Sequence, residues 1–269
     1  MATLVASEHI TSLPLFLYYL LNKGIRENEN ERFELLRVLI KNKIATKIVV
    51  FILFCLIATS CNIKLSDYYN SEAQKLESEE KFEEAIVLLD KAIKKNPKNI
   101  YALMNRGVDK SLLEDFNGAI EDYSRIIEIN EQNTLAYLNR GKNKARIEDY
   151  EGAIEDFDKA IITKGGEFLW MDKVENPLID NGFEFDVMME EIRYERGFSR
   201  YNIGNYRVAY DDFIFCIQKN FHLSTNYYMA GLVFIAYQNM EEACEMFAKS
   251  KMYGNQDAQE MIDMYCKNE

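Results

Sequence analysis

Residues 136–160 read AYLNRGKNKARIEDYEGAIEDFDKA, and the stretch one step earlier, 102–126, reads ALMNRGVDKSLLEDFNGAIEDYSRI. The interval from Gly107 to Gly141 is repeated from Gly197 to Gly231. Ala85, Ala119 and Ala153 keep the same step, and Ala209 and Ala243 continue it. A self-similar period of about 34 residues is the sequence form of paired helices stacked into a solenoid, in which each unit buries its apolar face on the next. Packed helices come within about 8–10 Å of each other. Small side chains permit that approach, so the comb predicts a Gly or Ala on the first helix of each unit and an Ala on the second. Between the two helices a second pair recurs as Asp115-Phe116, Asp149-Tyr150, Asn205-Tyr206 and Asn239-Met240, with Lys81-Phe82 as a weaker first copy. Asp or Asn at these places predicts an N-cap, and the large residue after it predicts a fold-back onto the hairpin.

These residues resemble the tetratricopeptide repeat family. Its pattern is carried by Tyr137, Asn139-Arg140-Gly141, Ala153, Phe157 and Ala160, and by Leu103, Asn105-Arg106-Gly107, Ala119, Tyr123 and Ile126. Ala73, Ala85, Leu89, Ala92 and Pro97 mark a first unit; Gly197, Ala209, Phe213, Cys216, Gly231, Ala243 and Phe247 mark the last two. The resemblance implies an all-α, tetratricopeptide-type solenoid of about five helix-turn-helix repeats with a concave groove that binds a protein or peptide. The units fall at 66–99, 100–133, 134–167, 190–223 and 224–255, so repeats 1–3 span 66–167 and repeats 4–5 span 190–255. From Ala153 to Ala209 the step is longer than the period, which places an insertion at 168–189, approached from Lys164. It holds Trp170, Pro177 and Asn181-Gly182, and reads either as an extended connection or as a loop on the binding face. After Gly254-Asn255, the residues Ala258, Met261, Ile262 and Tyr265 form one helical stripe, read as a capping helix within 256–269.

Residues 41–60 have a different character. Lys41, Lys43 and Lys47 precede an apolar run from Ile48 to Ala58, followed by Thr59-Ser60-Cys61. A basic segment, a short apolar segment and small residues fit a secretory signal, and the run is shorter than the roughly 20 residues a membrane span needs. Ala58-Thr59-Ser60-Cys61 is similar to a bacterial lipoprotein signal, with Ala58 standing where that signal usually carries Leu. The resemblance implies lipidation of Cys61, a short lipidated linker at 61–65, and a place in the bacterial cell envelope, lipid-anchored at the outer membrane and facing the periplasm. A short N-terminal anchor left uncut is the competing reading. Residues 1–40, with the apolar stretch Leu13–Leu21 and the acidic run Glu27–Glu34, read either as an extension from a start assigned too early or as a cytoplasmic tail.

Composition narrows the function classes. The 44 Asp and Glu against 32 Lys and Arg give a net charge of −12, which repels nucleic acid. Only two histidines occur, His9 and His222, so neither a zinc site nor a His-based triad is expected. Cys216, Cys244 and Cys266 are expected as free thiols, since no spacing suggests a metal. Glu148, Asp149, Glu151, Glu155, Asp156 and Asp158 are expected at helix starts and on solvated faces. No Gly-rich phosphate loop is present, no cofactor is expected, and the chain does not read as an enzyme.

Carried over from the family, the groove positions are Tyr101, Met104, Val108 and Leu112, then Leu135, Leu138, Lys142 and Arg146, then Tyr194, Phe198, Tyr201 and Asn202. Tyr101, Lys142, Arg146, Tyr194, Phe198 and Tyr201 are the candidate partner-binding residues, because aromatics and Arg dominate interface energies. The two-carboxylate clamp of chaperone-binding relatives needs Lys and Arg where this chain has Asn70, Gln74, Leu135 and Asn139. The expected function is that of an exported protein-protein interaction scaffold. A structural accessory of an envelope assembly or export complex is the alternative within that class. A cell-wall hydrolase is the alternative of a different class, and the sequence supplies no His, Ser or metal signature for it.

Overall fold

A computed structural model describes residues 43–163 and 187–266. The helices in order are α1 (Lys43–Glu77), α2 (Phe82–Lys95), α3 (Ile100–Leu112), α4 (Phe116–Ile129), α5 (Thr134–Arg146) and α6 (Tyr150–Thr163). They continue as α7 (Met189–Asn202), α8 (Tyr206–Gln218), α9 (Leu223–Ala236), α10 (Met240–Met252) and α11 (Asp257–Tyr265). From α2 onward each helix packs on its neighbours in sequence. The chain divides into two compact units, Met1–Cys61 and Asn62–Glu269. In the second, the end of α1 packs on α2, with Ala73 in one buried cluster with Ala85 and Leu89 and Ser66 Oγ donating to Ala92 O at 2.8 Å, and α3/α4, α5/α6, α7/α8 and α9/α10 form the following hairpins. The stretch 61–65, expected as a linker, lies within α1. No helix among the described residues is long and apolar enough to cross a membrane.

The hairpin turns repeat as closely as the helices. Glu80, Glu114, Glu148 and Gln238 adopt left-handed backbone with φ of 59°, 62°, 63° and 59°, and Gly204 holds the same place in the fourth unit with φ of 79°. The next amide then reaches five residues back: Asp115 N–H donates to Lys110 O at 2.8 Å, Asp149 to Lys144 O at 2.9 Å, and Asn205 to Arg200 O at 2.9 Å. This is the Schellman closure of a helix, with a residue other than Gly at most of its left-handed positions. Asp115 and Asp149 accept hydrogen bonds from Gly118 N–H (3.0 Å) and Gly152 N–H (3.1 Å), capping α4 and α6. Lys81, Asn205 and Asn239 make no such side-chain bond. Asn99 and Asn133 cap α3 and α5 instead, accepting from Ala102 N–H and Ala136 N–H.

The comb packs differently from the expectation of small residue on small residue. A Cβ on Gly107 would come within 2.8 Å of the Tyr123 ring, on Gly141 within 2.7 Å of Phe157, on Gly197 within 2.8 Å of Phe213, and on Gly231 within 2.6 Å of Phe247. Each glycine therefore makes room for an aromatic ring of its own hairpin, and all four rings are fully buried. Burying one such side chain contributes about 1.5–3 kcal/mol, which gives the sequence a reason to clear space for it. Ala85, Ala119, Ala153, Ala209 and Ala243 are likewise fully buried.

Two cysteines depart from the free-thiol expectation. Cys244 on α10 and Cys266, which follows α11, form a disulfide, while Cys55, Cys61 and Cys216 are free. Sequence separation hides the pair, because it forms only once α11 folds back on the last hairpin. There Ala258 is buried and Met261 and Ile262 pack against the cluster of Ala243 and Phe247, whereas Tyr265, placed on the same stripe, is exposed.

Candidate functional site

The Arg of each Asn-Arg-Gly run and its counterpart Arg196 tie the first helix of a hairpin to the second through a buried Asp. In the hairpin of Arg140, Asp156 is 2% exposed and accepts from Arg140 Nε (2.9 Å) and Nη2 (2.6 Å), with Lys144 Nζ at 2.9 Å. The expectation of a solvated face for Asp156 is thus corrected: it is a buried carboxylate with two cations. Arg106 grips Asp122 in the same way and Arg196 grips Asp212, with Lys110 and Arg200 as the second cations. Each guanidinium also reaches the preceding unit: Arg106 to Asp90, Arg140 to Ser124 Oγ at 3.0 Å, and Arg196 to Asp158 at 2.6 Å. Asp158 therefore also has a structural partner. The constant Arg-to-Asp spacing is visible in the sequence, but without the hairpin geometry it gives no reason to pair these residues.

The side chains of α5 and α7 meet across the break in the repeat period. Lys142, Arg146, Tyr194 and Phe198 line one cavity of about 380 Å³, together with Ala145, Glu148, Tyr150 and Glu195. A smaller cavity of about 180 Å³ lies against α3 and α5, lined by Val108, Leu112, Asn139, Lys142 and Arg146 among others. Lys142 and Arg146 thus border both. Tyr201 lies outside these two linings, 5.3 Å from the Tyr206 ring, and half-buried Tyr101 also borders neither. Met104 and Leu138, assigned to the groove by position, are buried in the core.

The two cations differ in their state. Lys142 Nζ lies 3.1 Å from Glu191 Oε1 and 3.9 Å from Glu195 Oε1, so two carboxylates of α7 already hold it. Arg146 is exposed and has no hydrogen bond or ion pair among the described residues. Burial raises the Glu195 carboxyl above its ordinary value, with Lys142 opposing. Burial also raises the Tyr194 phenol, aided by the charge of Glu195, so Tyr194 stays a hydrogen-bond donor at neutral pH. Tyr194 packs edge-on against Phe221 at 6.4 Å and lies 5.7 Å from His222. The arrangement is an open, partly aromatic recess in which the Arg146 guanidinium makes no hydrogen bond or salt bridge among the described residues, although its charge is felt by Glu195. Among the described residues, no group of three His, Cys, Asp or Glu side chains is placed to hold a metal ion. Cys61 is an exposed free thiol on α1. Trp170 and the rest of 164–186 lie outside the described residues.

No protein-family model and no curated protein sequence matches the chain. Solved structures do match in fold. A crystal structure of MamA is 19% identical, with a TM-score of 0.55, covering 72% of this chain and 97% of that one. YrrB, described as a TPR protein with an unusual peptide-binding site, is 18% identical with a TM-score of 0.58, covering 73% of this chain and 90% of that one. PilW, described as a widely conserved type IV pilus biogenesis factor, is 15% identical with a TM-score of 0.53, covering 70% and 77%. The fold is the all-α solenoid of tetratricopeptide type.

Proposed function

We propose that this chain is an interaction scaffold that binds a protein or peptide along the inner helices, centred on the recess between α5 and α7. Arg146 carries the reading. A solvent-facing guanidinium that makes no hydrogen bond or salt bridge among the described residues, its charge felt by Glu195 of the same recess and bordered by Tyr150, Tyr194 and Phe198, is the kind of group that gains from an incoming carboxylate beside an apolar side chain. Tyr101 and Tyr201 extend the same inner helices as lesser contacts. YrrB has the same fold and is described by its peptide-binding site, which supports the class of ligand.

The scaffold works outside the cytoplasm in this reading. The signal-like stretch 41–60 delivers it to the bacterial envelope, and lipid on Cys61 holds it at the outer membrane. The Cys244–Cys266 disulfide supports export, because such bonds persist in oxidising compartments. The fold shared with the pilus biogenesis factor PilW favours a second role within the same class, that of an accessory to an envelope assembly.

Partner recovery from detergent-solubilised membranes, compared between wild type and a folded Arg146→Glu variant, tests the binding site. Loss of a stoichiometric partner is expected, and Lys142→Glu added to it should deepen the loss only slightly. Equal recovery by both proteins would remove this recess from the binding surface. Intact-mass measurement of the membrane fraction tests the anchor: a species starting at diacylated Cys61 is expected, and a chain that retains residues 1–60 refutes it.

A further inference from the structure

The first hairpin carries its charges at opposite ends. The part of α1 from Asn62 onward runs antiparallel to α2: Ala73 shares a buried cluster with Ala85 and Leu89, and Ser66 Oγ donates to Ala92 O at 2.8 Å. Ser66 also accepts from Asn99 Nδ2 at 2.9 Å, and both residues are buried. The start of this part of α1, the last turn of α2 and the turn into α3 are thereby fixed to one another. Glu77, Glu79, Glu80, Glu83 and Glu84 lie at or beside the turn that closes the hairpin. Lys91, Lys94, Lys95 and Lys98 lie at the other end, in a stretch that contains no acid.

The four lysines follow one another at helical spacing and all are exposed. None makes an ion pair among the described residues; Lys91 Nζ lies 6.0 Å from the centre of the Tyr69 ring. Two further cations stand at the same end: Lys64, exposed on α1 just before Ser66, and Arg125, whose Nη2 donates to Pro97 O at 3.4 Å. The carboxylates there are Asp67, 3.5 Å from Asn99 Nδ2, and Glu128 and Glu131 beyond Arg125. Asp90 is taken by Arg106. Cations thus outnumber carboxylates at this end of a chain whose net charge is −12. The helix dipole favours a cation in the last turn of α2, but it does not account for four. One period later the same places hold Arg125, Glu128, Ile129 and Gln132, and α4 forms as regularly as α2. The repeat fold does not require the lysines.

We propose that this end of the first hairpin docks on an anionic phospholipid surface, with the ammonium groups of Lys91, Lys94, Lys95 and Lys98 against headgroup phosphates. Asn62 stands one helical turn before Ser66 and is the covalent neighbour of Cys61, so an anchor in the preceding residues keeps a membrane within reach of this end. The inference rests on the anchor reading above for that membrane, whether lipid on Cys61 or the uncut apolar run supplies it. An anchor tethers the chain without fixing how it is turned. Attraction at the basic end and repulsion of the acidic remainder do fix it. The two ends act separately, because the 14 residues of α2 span about 20 Å and the Debye length at physiological salt is about 8 Å. Exposed Ile63 and Tyr68 add apolar and aromatic surface on the same stretch of α1.

Brief acetylation of the full chain on vesicles, read lysine by lysine by mass spectrometry, tests the surface. Vesicles of phosphatidylcholine alone are compared with vesicles that also contain phosphatidylglycerol. A Lys held near an anionic surface gains about a factor of five, so Lys91, Lys94, Lys95 and Lys98 should react about fivefold more slowly on the anionic vesicles. Lys249 and Lys251, in the last unit, should react alike on both. Salt of about 1 M, where the Debye length is about 3 Å, should restore the reactivity. Lys64 reports on variants: its protection should vanish when Lys91→Gln, Lys94→Gln, Lys95→Gln and Lys98→Gln are combined, and persist when the same four are changed to Arg. Equal reactivity on both vesicles, or Lys64 still protected in the Gln variant, would overturn the proposal. The Gln variant should still recover the partner of the recess between α5 and α7; loss of that partner without any change on vesicles would assign the lysines to an acidic protein instead. A chain that fails to associate with the neutral vesicles refutes the anchor by itself, and lysine protection on the anionic ones still decides this inference.

Discussion

Replacing Gly141 by Ala probes the contact on which each hairpin is built. The new Cβ would lie 2.7 Å from Phe157 Cε1 and 3.0 Å from Cδ1, whereas carbon atoms attract one another at about 3.5–4.0 Å. Phe157 is fully buried, so its ring cannot swing into solvent; α5 and α6 must separate or the ring must leave its rotamer. At an open helical site the same substitution would stabilise by about 1 kcal/mol, which fixes the sign that has to be reversed. Overpacking a core costs about 1–3 kcal/mol, so a net loss of about 1–2 kcal/mol is expected for Gly141→Ala. Gly141→Leu should lose more. Urea unfolding gives the difference, with exposed Glu151→Gln as a reference expected within about 0.5 kcal/mol of wild type. Phe157→Leu in the Gly141→Ala background removes the ring edge and should show a favourable coupling of about 1 kcal/mol in a double-mutant cycle. Gly141→Ala as stable as the reference, or zero coupling to Phe157, would refute the glycine-to-ring packing.

The buried ion clusters, the turns and the staple each give a further measurement. Arg140→Ala leaves Asp156 with Lys144 alone and should cost about 3–5 kcal/mol in thermal unfolding, and Arg140→Lys should not restore it because the two-nitrogen grip is lost. Glu114→Gly and Glu148→Gly should each stabilise by about 0.5 kcal/mol, since relief of the left-handed strain slightly exceeds the entropy that Gly loses. Denatured but unreduced full-length chain should present three reactive thiols and the reduced chain five; Cys266→Ser should raise amide exchange in α11. Its single short helix cannot persist without its docking and its tether.

The repeat period makes the solenoid legible because a repeat displays its core several times over, and each copy checks the phase of the others. What the comb means is less legible. Spacing shows that Gly141 needs room but not whether an alanine or a ring fills it; the ring of Phe157 lies across the hairpin, on the second helix. Asp156 is hidden for a related reason. A run as acidic as Glu148–Asp158 looks solvated, and only the hairpin turns one carboxylate inward onto Arg140. The Lys142–Glu191 pair bridges the insertion, so no local pattern reveals that one of the two groove cations is already occupied. Cys244 and Cys266 are likewise brought together by a docked helix and not by their spacing.

Arg196 bridges Asp212 in its own hairpin and Asp158 in the one before, although the sequence between those two units is longer than the period allows. In a stacked array, collective melting depends on the free energy of each interface between neighbours as well as on the units themselves. The third and fourth units share the same kind of ionic link that joins the first to the second through Arg106, so the extra segment need not divide the array into two melting blocks. The last interface is built otherwise. Ala230 stands where the second, third and fourth units carry Arg, and α10 is held from the far side by α11 and its disulfide. Under mild heating of the reduced protein, α9 to α11 should unravel first, leaving the four preceding units to melt together.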